Sequence, residues 1–139
     1  MKTDSTLAKR IIGMGMKVHG KLGPGFTERV NQNALAVELR RAGMEVEAFK
    51  EITVLYESEV VGEFVADMVV RDAETGEELL IENKAVSMLV KAHSIQIVNY
   101  LSATGMDHGL LLNFGADSLE FKTRDRILRR PTEPPDLRA

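Results

Sequence analysis

The tightest constraint on this chain is a pair of apolar runs, residues 60–70 and 78–84, joined by the polar stretch Asp72-Ala73-Glu74-Thr75-Gly76-Glu77. A polar, glycine-containing link between two β-prone runs predicts an antiparallel hairpin. In the first run Val65, Asp67 and Val69 share one face, and Phe64, Ala66, Met68 and Val70 share the other. Both faces read as buried, so the strand is expected inside a sheet flanked by helices. Asp67 then sits among valines, where an unpaired ionised carboxylate is costly.

In the second run Leu80, Glu82 and Lys84 share a face. If Asp72 faces Glu77 across a symmetric turn, Asp67 falls directly opposite Glu82. Facing like charges destabilise a sheet, so something must compensate. A hard divalent cation is suited to this, since Mg²⁺ accepts one or two carboxylates and keeps several waters. Lys84, on the side of Glu82, could then hold a water or steady developing negative charge. A one-residue slip would instead put the two acids on opposite faces, leaving Glu82 and Lys84 an ordinary exposed pair. Spacing alone leaves both registers open.

Helical periodicity precedes the hairpin. Asp4 or Ser5 can cap a first helix, with Leu7, Ile11, Met14 and Val18 on its apolar face and an end at Gly20. Gly23-Pro24-Gly25 breaks the chain. A second helix is predicted over residues 26–42, with Phe26, Val30, Ala34, Leu35 and Leu39 turned inward and Gly43 ending it. Ile52, Val54 and Tyr56 alternate as a strand. After the hairpin come a third helix over 91–103, a buried strand over 109–114 and a weaker edge strand over 119–122. The order is ααβββαββ, an α+β or α/β fold with a mixed sheet. Residues 1–125 read as a single domain, and 126–139, with its prolines, as a flexible tail.

Composition narrows the chemistry. The chain has 139 residues and no cysteine, which excludes disulfides, iron–sulfur clusters and thiolate zinc sites and fits a cytoplasmic protein. His19, His93 and His108 are scattered. No apolar run is long enough for a membrane helix, and the start lacks the apolar core of a secretory signal. The net charge of −3 hides segregation. From Glu45 to Glu82 there are twelve acids and two bases, against nine acids and sixteen bases elsewhere. Lys9, Arg10, Lys17 and Lys21 near the start, and Lys122, Arg124, Arg126, Arg129 and Arg130 near the end, could supply local positive surface for a polyanion. They could equally be solvated faces and a tail.

These blocks carry a resemblance. Residues 18–28 (VHGKLGPGFTE), 34–39 (ALAVEL), 62–67 (GEFVAD), 81–85 (IENKA), then Gln96, Asn99, Tyr100 and Leu101, and finally 109–115 (GLLLNFG) occur in the order seen in the GxxExxY proteins. The chain resembles that family, which is placed in the PD-(D/E)xK nuclease superfamily. The resemblance implies a restriction-endonuclease-like αβββαβ core and a metal-dependent nuclease using Mg²⁺ or Mn²⁺. It implies metal ligands at Asp67 and Glu82, with the backbone carbonyl of Asn83 as a third. Lys84 would be the catalytic lysine, Glu28 an additional acid serving the metal or its water, and Gln96 a further site residue. Two departures stand out: Asn31 replaces the family tyrosine, and Asn83 occupies a position usually apolar.

Without the resemblance, Glu28 reads as a helix first-turn acid, Gln96 and His93 as solvated helix residues, His19 as a C-cap, and Asn113 as a buried polar residue satisfying a loop. Two functions follow. One is phosphodiester hydrolysis of nucleic acid, with DNA favoured over RNA by fold analogy. The other is a catalytically silent nucleic-acid-binding or partner-binding module on the same fold. A homodimer is also expected, since a core this small often needs a second copy to grip a duplex.

Overall fold

A computed structural model describes residues 6–127. The element order is α1 (Thr6–Leu22), α2 (Glu28–Arg41), β1 (Glu45–Tyr56), β2 (Glu59–Arg71), β3 (Glu78–Lys84), α3 (Lys91–Thr104), β4 (His108–Asn113) and β5 (Glu120–Asp125). This is the predicted ααβββαββ order. The five strands form one mixed sheet in the order β1-β2-β3-β4-β5, antiparallel except for the parallel β3–β4 pair. Among the described residues no helix is long and apolar enough to cross a membrane.

Alternation along β3 splits the core into two layers. Leu79 and Ile81 pack with Leu7 and Ile11 of α1 and Leu35 and Leu39 of α2. Leu80 packs on the opposite face with Ile97 and Leu101 of α3. All three β3 residues are fully buried, and each contributes roughly 1.5–3 kcal/mol through burial. Burial on both faces explains why this stretch is apolar throughout rather than alternating.

The β2–β3 register is the symmetric one. Arg71 faces Glu78, Val70 faces Leu79, Val69 faces Leu80 and Met68 faces Ile81. The turn is closed by Asp72 N donating to Glu77 O at 2.9 Å. β4 locks the far end of β3, where Phe114 N donates to Lys84 O at 2.8 Å. The next residue must be glycine, because a Cβ at Gly115 would lie 2.5 Å from the backbone of Val86.

Several boundaries and faces differ from expectation. α1 runs past Gly20 to Leu22 and ends at Gly23, whose φ of +76° only glycine adopts cheaply. Met14 is half-buried against the core. Phe26 and Val30 are exposed, while Asn31 and Gln32 face inward; Leu35 and Leu39 are buried as expected, so the departure is confined to the start of α2, where Gln32 addresses a polar site. β1 begins at Glu45, seven residues before the predicted Ile52. β2 is buried only from Ala66 onward, and Phe64 and Val65 are exposed. β5 is longer than predicted. The proposed caps Asp4 and Ser5, and Arg129 and Arg130, lie outside the described residues.

Candidate active site

The β2–β3 ladder stops at Met68 and Ile81, one step short of Asp67 and Glu82. β1 pairing is interrupted at the same level, between the pairs Ala48–Met68 and Lys50–Ala66. Phe49 lies there with φ +57°, its ring 4.7 Å from the Arg29 guanidinium of α2. Side chains replace the missing backbone bonds. Asp67 N donates to Glu82 Oε2 at 2.9 Å, and Asn83 N donates to Asp67 Oδ2 at 2.6 Å. Each acid thus satisfies the backbone of the opposite strand. From α2, Gln32 Nε2 donates to Asp67 O at 2.9 Å and ties that helix to the same point.

Burial and crowding make both acids hard to ionise. Glu82 is only 4% exposed. Its pKa is pushed up to about 7, first by burial and then by the charge of Asp67, with Glu28 adding a smaller upward push. Asp67 is also raised, mainly by burial, despite the Asn83 N–H bond that favours its charged form. Lys84 forms no ion pair with either acid, though its charge draws both pKa values down. Its Nζ donates instead to Gln96 Oε1 of α3 at 3.0 Å. Gln96 Nε2 in turn donates to Tyr100 Oη at 3.4 Å. The Tyr100 hydroxyl is raised by burial and then by the charges of Glu82 and Asp67.

Asp67, Glu82, Lys84 and Gln96 therefore share one site, as two hydrogen-bonded pairs coupled by the charge of Lys84. Glu28 stands within electrostatic reach but makes no hydrogen bond to it. For Asn83, the contact to the cluster is its N–H; its side chain lies on the other face of β3, with both amide atoms buried and unpartnered. Asn31 is in the same condition on α2. Two residues not selected as site residues from the sequence also belong here: Gln32, four residues after Glu28, and Tyr100, four after Gln96. Helical i,i+4 spacing was the available signal for both.

His19, His93 and Asn113 hold helix ends and loops in place. His19 Nε2 contacts Ala116 O at 2.8 Å, joining α1 to the loop after β4. His93 Nδ1 accepts from Val90 N at 3.0 Å at the start of α3. Asn113 Oδ1 accepts from Val86 N and Gly115 N, and its Nδ2 donates to Glu120 Oε1 at 2.7 Å. It satisfies the loop that follows Lys84.

The acids fit a hard cation by donor chemistry. Asp67 Oδ1 and Glu82 Oε1 accept no hydrogen bond from the described residues, leaving two oxygens and an electrostatic deficit that a dication relieves. No cluster of three or more His, Asp or Glu side chains poised around one ion occurs among the described residues. Water and a backbone carbonyl would have to complete the shell.

Comparison with known proteins agrees with the fold. The family model described as the PD-(D/E)XK nuclease superfamily matches residues 5–126. Among solved structures, the chain is similar to one titled "Crystal structure of SSO0001", with a TM-score of 0.58 and 17% identity over 73% of this chain and 52% of that one. The chain thus spans about half the length of that protein. No curated protein matches.

Proposed function

Because the chain belongs to the PD-(D/E)XK nuclease superfamily, we propose that it is a metal-dependent nuclease hydrolysing phosphodiester bonds, with DNA the favoured substrate. Within the superfamily we assign it to the GxxExxY proteins, on the sequence blocks around Glu28, Asp67, Glu82 and Gln96. The observation carrying the reading is the paired insertion of Asp67 and Glu82 where the ladder opens, each with one oxygen unclaimed.

Asp67 and Glu82, with the backbone carbonyl of Asn83, would hold Mg²⁺ or Mn²⁺. Such an ion supplies a Lewis acid and lowers the pKa of water. The Asn83 N–H fixes the orientation of the Asp67 carboxylate, and Asp67 N fixes that of Glu82. Lys84 stabilises the charge developing on the phosphoryl oxygens. Gln96 holds Lys84 Nζ away from the two acids, so the ammonium stays available to substrate instead of collapsing into an ion pair. Glu28, at the start of α2, serves as the further acid for water.

A second reading, a silent binding module, draws on the absence of a third poised acid among the described residues and on Asn31 in the family's tyrosine position. The two readings separate in one assay. Labelled single-stranded DNA, duplex DNA and RNA are incubated with Mg²⁺ or Mn²⁺ and the wild-type, Asp67→Ala or Lys84→Ala chain. The enzyme reading expects cleavage that needs metal and is abolished by both substitutions. Binding without cleavage of any substrate would establish the module.

A further inference from the structure

A groove of about 750 Å³ runs between the β1–β2 hairpin and α3. Val54, Leu55 and Phe64 form one wall, and Ile95, Gln96 and Tyr100 the other. None of its lining residues is charged. Leu55, Phe64 and Ile95 are between 48% and 59% exposed, so the walls of the groove present apolar side chains to solvent. The Phe64 and Tyr100 rings, one from each wall, lie 5.7 Å apart and tilted by 42°.

The groove opens directly from the candidate active site. Gln96 lines it and also accepts from Lys84 Nζ, so one side chain separates the groove from the group placed at the phosphate. We propose that this groove receives an unpaired nucleobase of the substrate, stacked on Phe64, next to the phosphodiester held at Lys84. The proposal rests on the nuclease reading above and adds the form of substrate: single-stranded or locally unpaired.

Two points favour this occupant. Duplex DNA presents phosphates first and is bound by cations, and the groove offers none. Stacking on an aromatic ring needs an open base face, which only an unpaired nucleotide exposes. Asn99 and Thr53, also lining the groove, supply polar contacts to base edges.

The test is fluorescence anisotropy with a labelled oligothymidylate and with a duplex of equal length, at fixed salt and with Ca²⁺. The proteins are wild type, Phe64→Ala, Phe64→Trp and Val65→Ala. Val65 is a neighbour on the same strand that does not line the groove. Single-strand binding tighter than duplex binding, weakened about tenfold by Phe64→Ala, restored by Phe64→Trp and unchanged by Val65→Ala, is the expected result. Phe64→Ala binding like wild type, or no preference for the single strand, would overturn the proposal, and duplex cleavage with Mg²⁺ would then leave the nuclease reading standing. Sedimentation showing a dimer that Phe64→Ala dissociates, with oligonucleotide binding unchanged, would give the groove to a second copy and also overturn it. If neither nucleic acid is bound or cut with Mg²⁺ or Mn²⁺, the nuclease reading itself falls.

Discussion

Asp67 and Glu82 are joined through backbone rather than repelled across it: the Asp67 amide donates to Glu82 Oε2 at 2.9 Å. The reciprocal bond, Asn83 N to Asp67 Oδ2, is 2.6 Å. The ladder opens where two acids must approach, and the acids take over the hydrogen bonds it loses. Hydrogen bonding to backbone alone leaves the electrostatic strain of a buried carboxylate pair, seen in the upward shift of both groups.

That strain sets an unusual pH dependence. The Glu82 pKa in the folded chain, about 7, lies above its ordinary value of 4.5. Between these values the folded state holds a proton that the unfolded state has lost, so stability falls as pH rises through the window and is flat outside it. The raised Asp67 adds in the same direction. For Glu82 alone the loss is on the order of 3 kcal/mol. Thermal denaturation in EDTA is expected to give a lower Tm near pH 8 than near pH 5, and Mn²⁺ to recover most of the difference.

Removing the charge of Glu82 while keeping its shape separates stability from function. Glu82→Gln should raise the metal-free Tm at pH 8, flatten the pH profile and abolish Mg²⁺-dependent cleavage. A profile as steep as wild type by calorimetry would place the pH dependence elsewhere.

Lys84 and Gln96 differ in what their loss removes. Lys84→Ala should lower the cleavage rate roughly 10²–10³-fold, as removal of a charge-stabilising donor does, with Mn²⁺ affinity little changed. Gln96→Ala should cost less, roughly 10–100-fold, as expected for an outer partner. In that variant Lys84 is free to pair with Asp67 or Glu82, so the pH–rate profile should shift as well, which simple loss of packing would not produce.

Asn31 and Asn83 carry four buried amide atoms without partners. Leaving a buried polar group unsatisfied costs about 1–3 kcal/mol. Asn83→Val and Asn31→Leu are therefore expected to be neutral or stabilising in chemical denaturation. Marked destabilisation by either would mean that bound water satisfies these amides.

Much of the fold follows from local pattern. The polar turn at 72–77 fixed the register of β2 on β3 because a short symmetric hairpin leaves little freedom, and that register brought Asp67 to the level of Glu82. What spacing does not carry is the way the ladder gives out there, since that depends on Phe49 of β1 and Gln32 of α2 acting on the same point. The start of the α2 face was misjudged for a related reason. Apolar periodicity turns Phe26 and Val30 inward, yet the structure buries Asn31 and Gln32, and local rules break where a polar site replaces core. The Lys84–Gln96 bond spans two elements; the family resemblance put both residues at the site but implied no bond between them.

The central claim is that Asp67 and Glu82 together hold a dication. Isothermal titration of Mn²⁺ into wild type, Asp67→Ala and Glu82→Gln tests it most directly. Saturable binding to wild type, lost or weakened at least tenfold in both variants while their folds persist by circular dichroism, is the predicted result. Wild type that takes up no Mn²⁺, or variants that bind it as tightly as wild type, would contradict the claim.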